Sequence, residues 1–270
     1  MQATRVNLLK RLLVGVAALL WCLPILWVFL CSFKKNLLGG IPSSITTDWT
    51  LSNFLQLGRF EFATALRNSL AVAVFSSLIG TIAGLILSLG LICRTRPLLK
   101  PLLTIISGRT VPQALFLLPQ YLIARQIGLT ESRFVLSLVH AFGALAIAVI
   151  LLCPFVLQLH TQFSSQARLD GVSDRIYFSK VIIPQLHGPL AFSFTVAVML
   201  SWTDYLFASI FTVGEETRTV PVLIGNFITS YGTAWGPMYA SLSLSFITTV
   251  CLTVMALVTG SLWLRKQGRS

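Results

Sequence analysis

Residues 68–93 read NSLAVAVFSSLIGTIAGLILSLGLIC, 26 residues without a charge, bounded by Arg67 on one side and by Arg94 and Arg96 on the other. As a helix rising 1.5 Å per residue, such a run is about 39 Å long, and about 20 apolar residues already cross the hydrocarbon layer of a bilayer. A membrane barrel strand would instead show alternating segments of about 10 residues. The run therefore predicts a membrane-spanning helix.

The rest of the chain agrees. It has 270 residues, of which 55% are apolar and only 10% charged, with a mean hydropathy of +0.83. Roughly a quarter of an ordinary soluble domain is charged, so there is too little charge here to solvate a globular surface. That excludes a soluble enzyme, a disordered chain and a disulfide scaffold. The five cysteines lie in or beside apolar runs and form no CxxC; they read as packing residues.

Further runs follow the same logic. Leu12–Phe33 is a first span: it is too long for a signal-peptide core and ends in bulky Trp27, Val28, Phe29 and Leu30. Pro101 to about Ala124 is a third, interrupted by Arg109 and bent by Pro112 and Pro119. Phe134–Leu159 is a fourth, Pro184 to about Phe211 a fifth carrying Asp204, and Met238–Leu264 a sixth. The expected fold is an all-α integral membrane protein of six transmembrane helices. Residues 1–63 form an N-terminal helix and outer loop, 64–264 the transmembrane core and 265–270 a cytoplasmic tail.

Orientation follows from charge. The net charge is +12, from 20 Lys and Arg against 8 Asp and Glu. These basic residues are scattered between apolar runs and not clustered on one domain, so nucleic acid is not the expected partner. With six spans, twelve Lys and Arg fall on the side of the termini and seven on the other. Positive charge is retained inside, so both termini are expected in the cytoplasm.

One segment is too polar to span and too patterned to be a linker: Ser164-Ser165-Gln166-Ala167-Arg168-Leu169-Asp170-Gly171-Val172-Ser173-Asp174-Arg175-Ile176-Tyr177-Phe178-Ser179-Lys180-Val181-Ile182-Ile183-Pro184. It reads as a short amphipathic helix, a glycine break suited to the left-handed conformation, and a second short helix ending at a proline. Its position is cytoplasmic, between the fourth and fifth spans. The shape suits docking into a groove on another protein, with the small residues Ala167 and Gly171 as the docking face and Asp170 capping the helix that follows.

With these residues the chain resembles the permease subunits of binding-protein-dependent ABC importers, in the carbohydrate branch typified by the maltose system. The spacing Ala167, three residues, Gly171, nine residues, Val181-Ile182-Ile183-Pro184 is similar to that family's cytoplasmic signature, although the family's Glu-Ala falls on Ser165-Gln166. Ser32-Phe33-Lys34, Trp49-Thr50-Leu51-Ser52-Asn53-Phe54, Leu66-Arg67-Asn68-Ser69-Leu70 and Ser201-Trp202-Thr203-Asp204-Tyr205-Leu206-Phe207 resemble further family motifs, in the same order. The resemblance implies a non-catalytic subunit forming half of a translocation path for a sugar or sugar derivative. The implied partners are a second homologous permease, two ATPase subunits that bind ATP and Mg, an extracytoplasmic solute-binding protein and the membrane lipid. Ser165, Gln166, Ala167, Arg168, Leu169, Asp170, Gly171 and Pro184 are implied in ATPase coupling.

Other residues are weighed on their own. The chain has no GxxxxGK[ST], so it holds no ATP site of that kind. His140, His160 and His187 lack metal-ligand spacing, so no metal is expected. No Ser/His/Asp or paired-carboxylate pattern suggests hydrolysis. Intramembrane charges usually face a cavity or a partner, which makes Arg109 and Asp204 candidates for the translocation path, with Trp202 and Tyr205 beside them. Straight-helix counting places Asp204 about 30 Å from the cytoplasmic end of its span and Arg109 about 12 Å, too different in depth to pair. The alternatives are an integral membrane enzyme, which needs a catalytic polar cluster, and an ion-coupled secondary transporter, which tends to have more intramembrane carboxylates.

Overall fold

The structure is a computed structural model and describes residues 2–35, 37–46, 48–92, 100, 104–105 and 111–267. Among these, four helices are long and apolar enough to cross a membrane, and a fifth span results if the bent pair Asp174–Gln185 and His187–Trp202 is counted as one. Of the expected third span, residues 101–103 and 106–110 lie outside the described residues; its second half is a helix. The chain divides into two compact units, residues 1–62 with 223–247 and residues 63–222 with 248–270.

In the first unit, helix α1 (Gln2–Ser32) carries Pro24 in its interior, as lipid-embedded helices tolerate. It exposes Leu19, Leu20, Trp21 and Leu23, the surface expected of a helix solvated by lipid. A short hairpin, β1 (Leu37–Leu38) against β2 (Ile41–Pro42), turns on Gly39 and Gly40, both at positive φ. Helix α2 (Ser52–Gln56) and a 3-10 turn follow.

Two of the motifs meet in this unit. Lys34 is fully buried; its Nζ donates to the Ile45 carbonyl at 2.5 Å and lies 3.6 Å from the centre of the Trp49 ring, a desolvated cation over an aromatic face. Asn53 donates to the carbonyls of Ser32 and Lys34, both at 2.9 Å, so it caps the end of α1 from the side. These residues hold a helix exit together.

The second unit begins with α3 (Phe62–Ile92), counted from Phe62 at its edge. Next come α4 (Ala114–Gln126) and α5 (Arg133–Leu169), the latter capped by the Ser132 hydroxyl on the Val135 amide. A Cβ at Gly80 would overlap Ala144, and one at Gly84 would overlap Ala148. Facing small residues four apart let α3 and α5 approach backbone to backbone, as lipid-embedded helices do where no hydrophobic effect drives them together.

Two expectations about helix ends need correction. The helix of the fourth span does not stop at Leu159; α5 runs 37 residues to Leu169, so the first half of the polar segment 164–184 is the end of that helix, which turns polar from His160 onward without breaking. The fifth span is not continuous from Pro184 to Phe211. A rod formed by α6 (Asp174–Ile176), a π-helical stretch (Tyr177–Ile182) and α7 (Ile183–Gln185) meets α8 (His187–Trp202) at 64°. Helix α8 stops at Trp202, and one turn, α9 (Ala208–Phe211), follows the break. The remaining elements are α10 (Val220–Asn226), the hairpin β3 (Ile228–Thr229) with β4 (Gly232–Thr233), and α11 (Trp235–Gln267).

Candidate functional site

The bend after α5 is built from backbone and apolar packing. Gly171 has φ +64°, the conformation a Cβ disfavours. The Val172 amide donates to the Ala167 carbonyl at 3.0 Å and the Gly171 amide to Arg168 at 3.2 Å. This paired closure is the Schellman motif, which satisfies the last carbonyls of the helix. Behind the bend, Tyr177, Ile182 and Leu186 of the following segment bury against Val156 and Leu159 of α5, with Leu85 and Leu89 of α3 at the edge. The Tyr177 hydroxyl lies 3.2 Å from His160 Nδ1.

Burial assigns the faces differently from the sequence reading. Ala167 packs inward against this cluster, whereas Leu169 is 88% exposed at the apex. Ser165, Gln166, Arg168 and Asp170 are exposed beside it, and Pro184 is exposed on the rod. Of the residues expected to face a partner, Ala167 packs inward and Leu169 is the large apolar side chain the bend exposes. Asp170 is the C-terminal cap position of α5; the helix it was expected to cap starts after Ser173 and receives no side-chain cap.

The break after α8 is held by side chains distant in sequence. His140 of α5 has Nδ1 2.6 Å from Ser201 Oγ and Nε2 3.2 Å from Asp204 Oδ2. A carboxylate oxygen only accepts, so Nε2 carries a proton. In the neutral ring Nδ1 then accepts from the Ser201 hydroxyl, and Ser201 Oγ accepts from Ser76 at 3.2 Å. Asp204 Oδ2 also accepts the amides of Phe207 and Ala208, at 3.0 and 3.2 Å, capping the first turn of α9.

Ser201, His140 and Asp204 thus form a hydroxyl–imidazole–carboxylate line that was not legible in sequence. The amides of Thr203, Asp204, Phe207 and Ala208 are all donated within the break. The line ties α5 to the interrupted end of α8 as a polar network.

His140, Ser201 and Asp204 line a cleft of about 460 Å³ with Gln113, Gln120 and Phe142 among its other walls. Of the candidate path residues, Asp204 is at the cleft; Trp202 is 2% exposed and Tyr205 52% exposed, and neither lines it. Arg109 lies outside the described residues. No group of three or more potential metal ligands occurs among the described residues. His140 had been weighed only as a metal ligand. Its spacing of 61 and 64 residues from its partners leaves no local signal, and only its place inside an apolar run marks it.

The fold has long apolar helices with one bent segment before an interrupted helix. It is shared with a chain of a bacterial ABC transporter involved in the import of the acidic polysaccharide alginate, at a TM-score of 0.65 and 20% identity, covering 93% of this chain and 95% of that one. No family model matches the chain. Among individual proteins it is 27% identical to the inner membrane ABC transporter permease protein YcjP of Escherichia coli, over 86% of this chain and 84% of that protein. It is 28% identical to the trehalose transport system permease protein SugB of Mycobacterium tuberculosis, over 84% and 82% respectively. It is also 28% identical to the trehalose/maltose transport system permease protein MalG of Thermococcus litoralis, over 94% of each chain. The resemblance read from the motifs holds: the chain is similar, nearly end to end, to sugar ABC transporter permeases.

Proposed function

We propose that the chain is the transmembrane subunit of an ATP-driven importer and forms half of the translocation path for a sugar or sugar derivative. Its similarity to trehalose and trehalose/maltose permeases supports this reading over a membrane enzyme or an ion-coupled transporter. The partners under this reading are a second homologous permease, a solute-binding protein outside the membrane and a pair of ATPase subunits that bind ATP and Mg. Six spans with both termini in the cytoplasm accord with it, since the segment around Gly171 then faces the ATPases.

One observation in the chain itself carries the mechanical part: Leu169, 88% exposed, is the most exposed large apolar side chain of the bent segment, ahead of Ile176 at 46% and Ile183 at 37%, while Tyr177, Ile182 and Leu186 pack behind it. An exposed apolar anchor on a rigid support is what a docking element needs. ATP-driven closure of the ATPases would move this rigid corner, and with it α5 and the rod leading to α8, switching the path between its two faces.

The test is reconstitution. The chain, its homologous permease, the ATPase and the binding protein are placed together in liposomes and uptake of radiolabelled trehalose or maltose is followed. Uptake should require ATP and all four components. Uptake by this chain alone, without ATP, would overturn the reading.

A further inference from the structure

The cleft beside the α8 break holds two acceptors without donors. Asp204 Oδ2 is used three times over, by His140 and by two amides, and no described residue donates to Oδ1. Gln120 Oε1 is buried and has no hydrogen-bond partner. Both residues line the same space. An unmade hydrogen bond at a buried acceptor such as Gln120 Oε1 is costly, and the Asp204 carboxylate offers an uncovered acceptor beside it, so a solute bringing O–H donors gains more here than one bringing further acceptors.

Charge points the same way. Asp204 is the one formally charged residue among the described lining residues, which include no Lys or Arg. His140 is turned to Asp204 Oδ2 and Ser201 Oγ, with both ring nitrogens engaged there, and leaves Asp204 Oδ1 uncovered toward the cleft. An anionic solute would meet a carboxylate in a site of low dielectric, where repulsion is stronger than in water. The apolar walls mix aliphatic residues with aromatic rings, and two of the rings, Phe116 and Phe142, are exposed at 47% and 73%. Aromatic faces cover the C–H surfaces of a ring while polar groups fix its orientation. A volume of about 460 Å³ is within the range of small-molecule sites.

We propose that this cleft is a binding site for neutral polyhydroxylated solutes, with Asp204 Oδ1 and Gln120 Oε1 accepting solute hydroxyls, and that Asp204 filters out acidic ones. The proposal rests on the importer reading and narrows it from sugars and their derivatives to uncharged ones. Asp204 then has two roles on two oxygens: Oδ2 builds the helix break and Oδ1 meets the solute. His140 is a positioning residue, since it reaches the solute only through the carboxylate it orients.

A cysteine at Ala146, another lining residue, tests this in the assembled complex in nanodiscs, with modification at position 146 read by site-resolved mass spectrometry. A cationic methanethiosulfonate (aminoethyl) should react at least about five times faster than the anionic sulfonatoethyl reagent, because a negative site concentrates cations. Asp204→Asn should bring the ratio close to one. Maltose or trehalose should protect the Ala146→Cys chain from both reagents, whereas digalacturonate should not. Gln120→Leu should abolish sugar protection and leave the reagent ratio unchanged, which keeps the test decisive if Asp204→Asn does not assemble. Equal rates for the two reagents, or protection by digalacturonate as good as by maltose, would overturn the proposal. ATP-dependent uptake measured on the same preparation separates the two ideas: if uptake persists while the ratio is one, the cleft proposal alone falls.

Discussion

Two interruptions bound the stretch from the rod to the end of α8, one at Gly171 and one after Trp202, and they are built from opposite materials. At the bend, the turn itself is exposed: a Cβ added to Gly171 would touch nothing within 4 Å, and the closing hydrogen bonds are all between backbone groups of residues 166–172. At the break, the closing bonds run through side chains, from Ser76 on α3 and His140 on α5 to Ser201 and Asp204. One corner is a local conformation stiffened by apolar packing behind it. The other is a tertiary network, and it lines a cleft. A corner that must transmit motion to a partner can be solvent-facing. A corner inside a bilayer has no water to satisfy its opened backbone.

The largest expected effect is therefore at the break. Asp204→Ala removes the acceptor for two amides and for His140 at once, at a cost of about 3 kcal/mol for stranded buried donors. Asp204→Asn keeps a carbonyl oxygen for the amides and should lose about half of that. The buried thiols Cys31 and Cys153 give the readout: thermal exposure of these thiols to a maleimide dye should come at distinctly lower temperature in the alanine variant. Equal stability of the wild type and Asp204→Ala would show that the network is incidental.

Next is the bend. Gly171→Val meets no steric neighbour, so the penalty is that of the left-handed backbone alone, about 1–2 kcal/mol. Gly171→Asn should cost less, since Asn tolerates this conformation. Both variants should insert, and transport should fall more for Val than for Asn. Were a clash responsible, Asn and Val would be equally harmful. Tyr177→Phe is smaller still: the ring keeps its packing on Val156 and Ile182 and only the hydroxyl contact to His160 is lost, about 1 kcal/mol. Comparing its melting shift with that of Asp204→Ala measures how far each corner depends on polar bonds.

The same contrast explains what could be read in advance. Gly171 and its spacing to Pro184 are local, and a Schellman closure needs only seven consecutive residues, so the bend was visible in the sequence. Its inward and outward faces were not, because they depend on where Val156 and Leu85 lie. Asp204 reads as an unusual intramembrane charge, but counting rise along a straight helix does not describe its setting, since the rod meets α8 at 64° and α8 ends at Trp202. The motifs themselves are mostly helix exits: Lys34 and Asn53 close α1, Asn68 and Ser69 of α3 bond the Glu216 and Arg218 carbonyls and the Val220 amide, and Asp204 closes α8. A chain in lipid must satisfy its backbone wherever a helix stops, and those stops are where polar residues of fixed type recur.

Leu169 should show the smallest effect on stability and a large one on coupling. It is 88% exposed, so Leu169→Ser removes almost no packing, and surface changes of this kind stay within about 0.5 kcal/mol. Within the proposed importer it removes the apolar anchor, and buried anchors at interfaces are worth about 2 kcal/mol or more. Leu169→Ser should thus melt like the wild type, bind the ATPase subunits more weakly and lower ATP-dependent uptake. Cysteines separate this from the earlier face assignment. Leu169→Cys should crosslink to a cysteine in the ATPase groove, with a yield that changes on adding ATP, whereas Ala167→Cys, whose side chain packs on the protein's own cluster, should react poorly. Ile127→Cys, on the turn at the other end of α4, should give no crosslink if the charge-based orientation is correct. A strong crosslink at 127 would invert that orientation, and one at 167 with none at 169 would mean that the corner rearranges when the ATPase docks.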